Sequence, residues 1–173
     1  MMHAAGSPVI ARDAGSLGPL VSVAAVVAAL ALQVYLPQYF GFIGNLDLPL
    51  LVAVYLALMS RSAIVGLLIG AVIGIAQDSL TDGPVGVFGI LKTVIGYLAG
   101  TISLYIEVDY PGARSVLVAL FFLIHQILFW IVETVLLGSE ISIQLVLTLI
   151  LAAAHAGLSL AVFRLLDGLK KTP

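Results

Sequence analysis

Few residues in this chain could do chemistry, and most of them sit where charge is costly. Lys92, His125, Gln126, Glu133 and His155 all fall inside long apolar runs. Asp78 and Asp82 bracket a short loop, "DSLTDGPVG". An ionisable side chain within a membrane segment is expensive and faces protein or water rather than lipid. Such a set offers three chemistries. A lysine can pair with a carboxylate, two aspartates can hold a cation or act as acid and base, and histidines at one depth can pass protons.

Spacing weighs these options. Lys92 lies about seven residues into its apolar run, ~10 Å deep at ~1.5 Å per residue. Glu133 lies near the same end of the following run. Lys92 is therefore expected to pair with Glu133 or Asp78, with no preference between them, or to snorkel outward to Asp78 or Asp82. Gln126 and Glu133 share a helix face with His125 beside it, while Gln144, Thr148, His155 and Ser159 form a second stripe. His125 and His155 reach similar depths near the bilayer middle. A polar cavity or proton path is one reading. Hydrogen bonding between helices is the plainer one and is favoured, because two histidines without an adjacent acid make a poor relay. No further ligand type stands near Asp78 and Asp82, so neither metal binding nor catalysis is expected. No cofactor is expected either. The chain has no cysteine, which excludes disulfides, thiolate metal sites and thiol nucleophiles.

The elements that must position these residues are membrane helices. Of 173 residues, 62% are hydrophobic and only 9% charged; a soluble domain carries about 25% charged residues. The net charge of −2 and the lack of a basic run give no reason to expect nucleic acid as a partner. Six apolar segments span residues 17–36, 41–59, 62–77, 85–106, 115–137 and 141–166. Most approach the ~20 residues that cross a bilayer. The second and third are weaker, since only thirteen residues separate Asp47 from Arg61. Either the second helix is short or Asp47 lies within the interface, and five crossings plus a hairpin is the competing count. The first segment exceeds the usual apolar core of a signal peptide, so retention is expected.

With six crossings, Arg12, Arg61, Arg114, Arg164, Lys170 and Lys171 share the side of both termini. The three opposite loops carry no basic residue but hold Asp47, Asp78, Asp82 and Glu140. That asymmetry predicts both termini in the cytoplasm. Tyr35, Tyr39, Phe40 and Phe42 then form an aromatic belt on the outer side. Residues 1–16 read as a cytoplasmic flexible lead, 17–166 as one transmembrane domain, and 167–173 as a basic cytoplasmic tail. No connection exceeds about ten residues, which leaves no room for a soluble domain.

Glycines organise the middle of the chain. Gly66, Gly70 and Gly74 lie on one helix face, and Gly86, Gly89, Thr93, Gly96 and Gly100 lie on another. Small residues at such spacing let helix backbones approach closely, so the third and fourth segments are expected to form a tight antiparallel hairpin. Gly83 precedes Pro84, and proline suits the first helical position. The fourth helix is therefore expected to start at Pro84, with Asp82 facing the positive end of its dipole. Asp78 closes the third helix, where the dipole disfavours it, so another partner is expected.

The stretch "GLLIGAVIGIAQDSLTDGPVGVFGILKTVIGYLAG" resembles the MreD family of bacterial rod-shape-determining proteins. The shared pattern is a Gly-rich helix with a terminal aspartate, a short loop, then Pro-x-Gly and an apolar helix. It falls on Gly66, Gly70, Gly74, Asp78, Gly83, Pro84 and Gly86. "LPLLVAVYLALMSR" is similar to the family's proline-led second helix and its following basic residue. Asp82 and Lys92 are not assigned by the pattern. The resemblance implies a six-helix bundle like the substrate-binding components of energy-coupling-factor transporters, set in the bacterial inner membrane. It implies a non-enzymatic scaffold of cell elongation and lateral peptidoglycan synthesis. Its partners would be MreC and, indirectly, a RodA-type glycosyltransferase, a class B penicillin-binding transpeptidase and MreB. The rival reading is an energy-coupling-factor substrate-binding component. Ala24 and Ala28, with Ala25 and Ala29, would dock its transport partner, and Lys92, Glu133, Gln33 and Trp130 would supply an outer pocket.

Overall fold

The computed structural model describes residues 17–81, 83–106, 110–139 and 144–170. The lead 1–16, Asp82, Glu140 and the end of the tail, including Lys171, lie outside the described residues. The chain is all-α. Its helices are α1 (Pro19–Tyr39), α2 (Leu48–Ser60), α3 (Ala63–Asp78), α4 (Val87–Ile102), α5 (Pro111–Ile131) and α6 (Leu145–Gly168). A 3-10 turn, Gly41–Asn45, precedes α2, and a π-helical turn, Val132–Leu136, continues α5.

Three of these elements are long and apolar enough to cross a membrane: α1, α5 with its π turn, and α6. Their outward faces carry exposed apolar side chains such as Leu20, Val27, Val116, Val146 and Ile150. A surface of that kind suits lipid and not water. The other three helices are apolar but shorter. With 13 residues, α2 is ~20 Å long at ~1.5 Å per residue, short of the ~30 Å hydrocarbon layer.

Burial explains what α2 does instead. Nearly its whole circumference is covered, and Leu50, Leu51, Val54, Tyr55 and Leu58 are almost inaccessible. They pack against Ile95 and Ala99 of α4, Phe121 and Phe122 of α5, and Phe163 of α6. The expected segment 41–59 is thus not one helix. Its first five residues form the 3-10 turn, and α2 starts only at Leu48. Asp47 caps that start through Oδ1, which accepts from Leu50 N–H at 2.9 Å, with Pro49 in the first turn. An acid followed by proline two positions later is a helix-start signature, and here the acid, Asp47, lies inside the bundle.

The α3–α4 hairpin is the closest-packed pair. A Cβ built on Gly66 would collide with the Gly96 carbonyl, one on Gly70 with the Lys92 carbonyl, and one on Gly74 with the Phe88 carbonyl. Built on Gly96, it would strike Gly66, and on Gly100, Ser62. The two backbones are therefore in direct contact along the seam, which only glycine permits. Gly86 does not belong to this seam. It caps α4 at φ 105°, a left-handed conformation suited to glycine, with nothing near its Cα face. The helix consequently begins at Val87 rather than at Pro84, and both Gly83 and Pro84 are exposed in the loop.

Candidate polar centre

The structure gathers most of the polar residues of the apolar segments at one place, beside the start of α2. Lys92, on α4, has no exposed surface, and its Nζ donates to Asp47 Oδ2 at 2.5 Å. This overturns the expected pairing of Lys92 with Glu133 or Asp78. Glu133 sits half-buried on the π turn, and Asp78 is engaged elsewhere. The ammonium also lies 4.8 Å from the centre of the Phe88 ring, whose face adds attraction to a cation. Burying one charge here would be costly, and the ion pair compensates both.

His155 of α6 holds the same helix start from the other side. Its Nε2 accepts from the backbone N–H of Asp47 at 3.0 Å, and its Nδ1 lies 2.7 Å from the Leu151 carbonyl. A backbone N–H can only donate and a carbonyl can only accept, so the ring is neutral with its proton on Nδ1. Gln33 of α1 completes the set, as its Oε1 accepts from Leu48 N–H at 2.9 Å. Asp47, Gln33 and His155 thereby satisfy three N–H groups that a helix start leaves unpaired. Side chains from α1, α4 and α6 converge on the first turn of α2. His155 is also stacked on Phe122, with ring centres 4.0 Å apart.

His125 of α5 differs from its neighbours. It is 3% exposed, yet both ring nitrogens are without a hydrogen-bond partner. Nε2 stands 3.7 Å from Asp47 Oδ2, beyond hydrogen-bond reach. The two histidines therefore do not form a proton path: His155 is fully engaged in fixing α2, and His125 faces a cavity. That chamber of about 280 Å³ is lined by Asp47, Gln77, Phe88, His125 and Gln126, among others. Gln77 is 4% exposed, and its Oε1 is likewise unpartnered. Among the described residues, no group of three or more His, Asp or Glu is placed to hold a metal ion.

Asp78 lies at the end of α3 and acts on the next helix. Its Oδ1 accepts from Phe88 N–H at 3.0 Å and its Oδ2 from Gly89 N–H at 2.8 Å. The carboxylate thus caps α4, the role expected of Asp82, and faces the favourable end of that dipole. Gly89 leaves room beside it, since a Cβ there would lie 3.2 Å from Asp78 Oδ2, a tight contact.

At the opposite end of the bundle, Asp167 accepts from Tyr55 Oη at 2.8 Å, from Arg114 at 2.7 Å and from Lys170 at 2.7 Å. This ties α2, α5 and α6 together. Ser159, in the expected α6 stripe, bonds to Ser115 of α5 at 3.1 Å. Gln144 and Thr148 of that stripe instead line a cleft between α5 and α6.

The residues that sequence reasoning missed are Asp47 as the partner of Lys92, and Gln77 and Phe88 as chamber walls. The Asp-Leu-Pro start of α2 could have revealed the first; nothing in the helical pattern singles out the other two. In comparisons with known proteins, no family model, no curated protein and no solved structure matches the chain.

Proposed function

We propose that this protein is a non-enzymatic membrane scaffold of the MreD type, which binds MreC and helps organise wall synthesis during bacterial elongation. The observation that carries the reading is the α3–α4 hairpin. The stretch that resembles the family folds into one unit, fused along matched glycines and capped by Asp78. Such a unit presents rigid helix faces rather than moving parts, as a docking platform requires. In this reading all six helices cross the cytoplasmic membrane with both termini inside, as the distribution of Lys and Arg favours. The short α2, α3 and α4 would do so shielded by their longer neighbours, in a bundle like that of energy-coupling-factor substrate-binding components.

The test is co-purification in mild detergent from a rod-shaped bacterium. Recovery of MreC with the tagged protein, together with restored rod shape in cells lacking their own MreD, is the expected result. Recovery of transporter ATPase subunits without MreC would overturn it in favour of a substrate-binding component.

A further inference from the structure

Asn45, Gln126, Phe129 and Leu151 line both the polar chamber of about 280 Å³ and the cleft of about 530 Å³ between α5 and α6. The chamber and the cleft therefore adjoin, with these four residues as their common border. The two halves differ in chemistry. The chamber holds the unpartnered ring nitrogens of His125 and the unpartnered Oε1 of Gln77. The charged group in its lining, Asp47, is already paired with Lys92, so the chamber offers hydrogen bonds without net charge. The cleft is walled by Leu123, Ile127, Trp130, Leu145 and Leu149. Ile127, Leu145 and Leu149 are exposed on two of the helices long enough to span a membrane, so the cleft meets the acyl layer.

Buried polar groups seldom stay unpaired in native proteins, so His125 and Gln77 call for a partner. Water could satisfy them, but water has no use for the apolar half. A freely soluble molecule would fit the chamber and leave the cleft aside. We propose that chamber and cleft together bind a lipid-like amphiphile. Its uncharged, hydrogen-bonding head meets His125 and Gln77, and its single alkyl or isoprenoid chain lies in the cleft beside Trp130. A neutral imidazole offers one donor and one acceptor, and the Gln77 carbonyl a second acceptor, which suits a hydroxyl-bearing head. This inference does not depend on the scaffold reading, since it rests on the cavity alone.

Trp130 is the chain's single tryptophan and serves as the reporter. The full-length protein in maltoside micelles is titrated with a monoacylglycerol brominated on its acyl chain, at constant detergent. The expected result is saturable quenching of Trp130 fluorescence. Gln77→Leu and His125→Phe should each raise the half-saturating concentration about tenfold, equivalent to ~1.4 kcal/mol. Thr148→Phe, which fills the cleft, should abolish the saturable component. Each variant is compared only while it keeps parental helicity and monodisperse elution; Gln77→Leu, at the chamber wall, carries the test if His125→Phe does not fold. Quenching that rises linearly, alike in parent and variants, means partitioning into the micelle and overturns the proposal. Saturable quenching that neither head-group variant weakens overturns it as well.

Discussion

Lys92 Nζ and Asp47 Oδ2 meet at 2.5 Å across 45 positions of sequence, and neither charge is tolerable there alone. Removing one partner of a buried pair leaves an uncompensated charge and costs about 3–5 kcal/mol. Lys92→Met and Asp47→Asn should each lose stability on that scale. Asn at position 47 keeps an oxygen to cap Leu50, so its cost reports the charge rather than the cap. The double variant should recover part of the loss, because the two changes together remove both charges. Unfolding by SDS in mixed micelles measures all three. Strictly additive losses would show that the two side chains are not coupled.

The glycine seam gives a prediction of sign. Gly70→Ala puts a Cβ into the Lys92 carbonyl and should cost about 1–3 kcal/mol, as overpacking does. Gly157→Ala, in the middle of α6 with nothing near its Cα face, should be neutral or stabilise by up to ~1 kcal/mol through helix propensity. Thermal stability in detergent separates them, and equal responses at both positions would remove the seam from the account.

The seam was legible in the sequence because a spacing of three and four projects directly onto one helix face. Gly66 and Gly70 meet Gly96 and Gly100, and Gly74 meets Gly89, as that spacing alone predicts. Gly86 shows the limit of that reasoning. It fits the spacing, yet it is the left-handed cap before α4, and periodicity carries no sign of φ. The Lys92–Asp47 pair was illegible for another reason. Hydropathy merges Gly41–Asn45 with α2 into one apolar segment, which leaves Asp47 at an interface. The 3-10 turn shortens the helix and brings its cap, Asp47, inside the bundle. The chamber depends on how α1, α3, α4, α5 and α6 meet, and no local pattern encodes that.

Tyr55 and Asp167 close the far end of the bundle. The Tyr55 hydroxyl donates to a carboxylate that also holds Arg114 and Lys170. Tyr55→Phe removes one charge-assisted bond but leaves Asp167 paired, so about 1.5–3 kcal/mol should be lost. Arg114→Gln should cost more than Lys170→Gln, because the Arg114 side chain is 5% exposed and that of Lys170 16%. Mixed-micelle unfolding ranks the three variants. A larger effect at Lys170 would show that exposure does not set the order.

Asp78 caps α4 with both oxygens, and its substitutions should fall in a fixed order. Asp78→Asn retains one carbonyl oxygen for Phe88 N–H or Gly89 N–H but turns an amide NH₂ toward the other. One hydrogen bond and the favourable dipole interaction are lost, a cost of about 1–2 kcal/mol. Asp78→Leu removes both acceptors and leaves two N–H groups at the top of the seam unpaired, that of Phe88 and that of buried Gly89. Each unpaired group costs about 1–3 kcal/mol, so this variant should lose folded protein from the membrane. If the carboxylate is structural, partner recovery should follow membrane abundance through the series from Asp to Asn to Leu. An abundant, folded Asp78→Asn protein that recovers no partner would give the charge a direct part in binding.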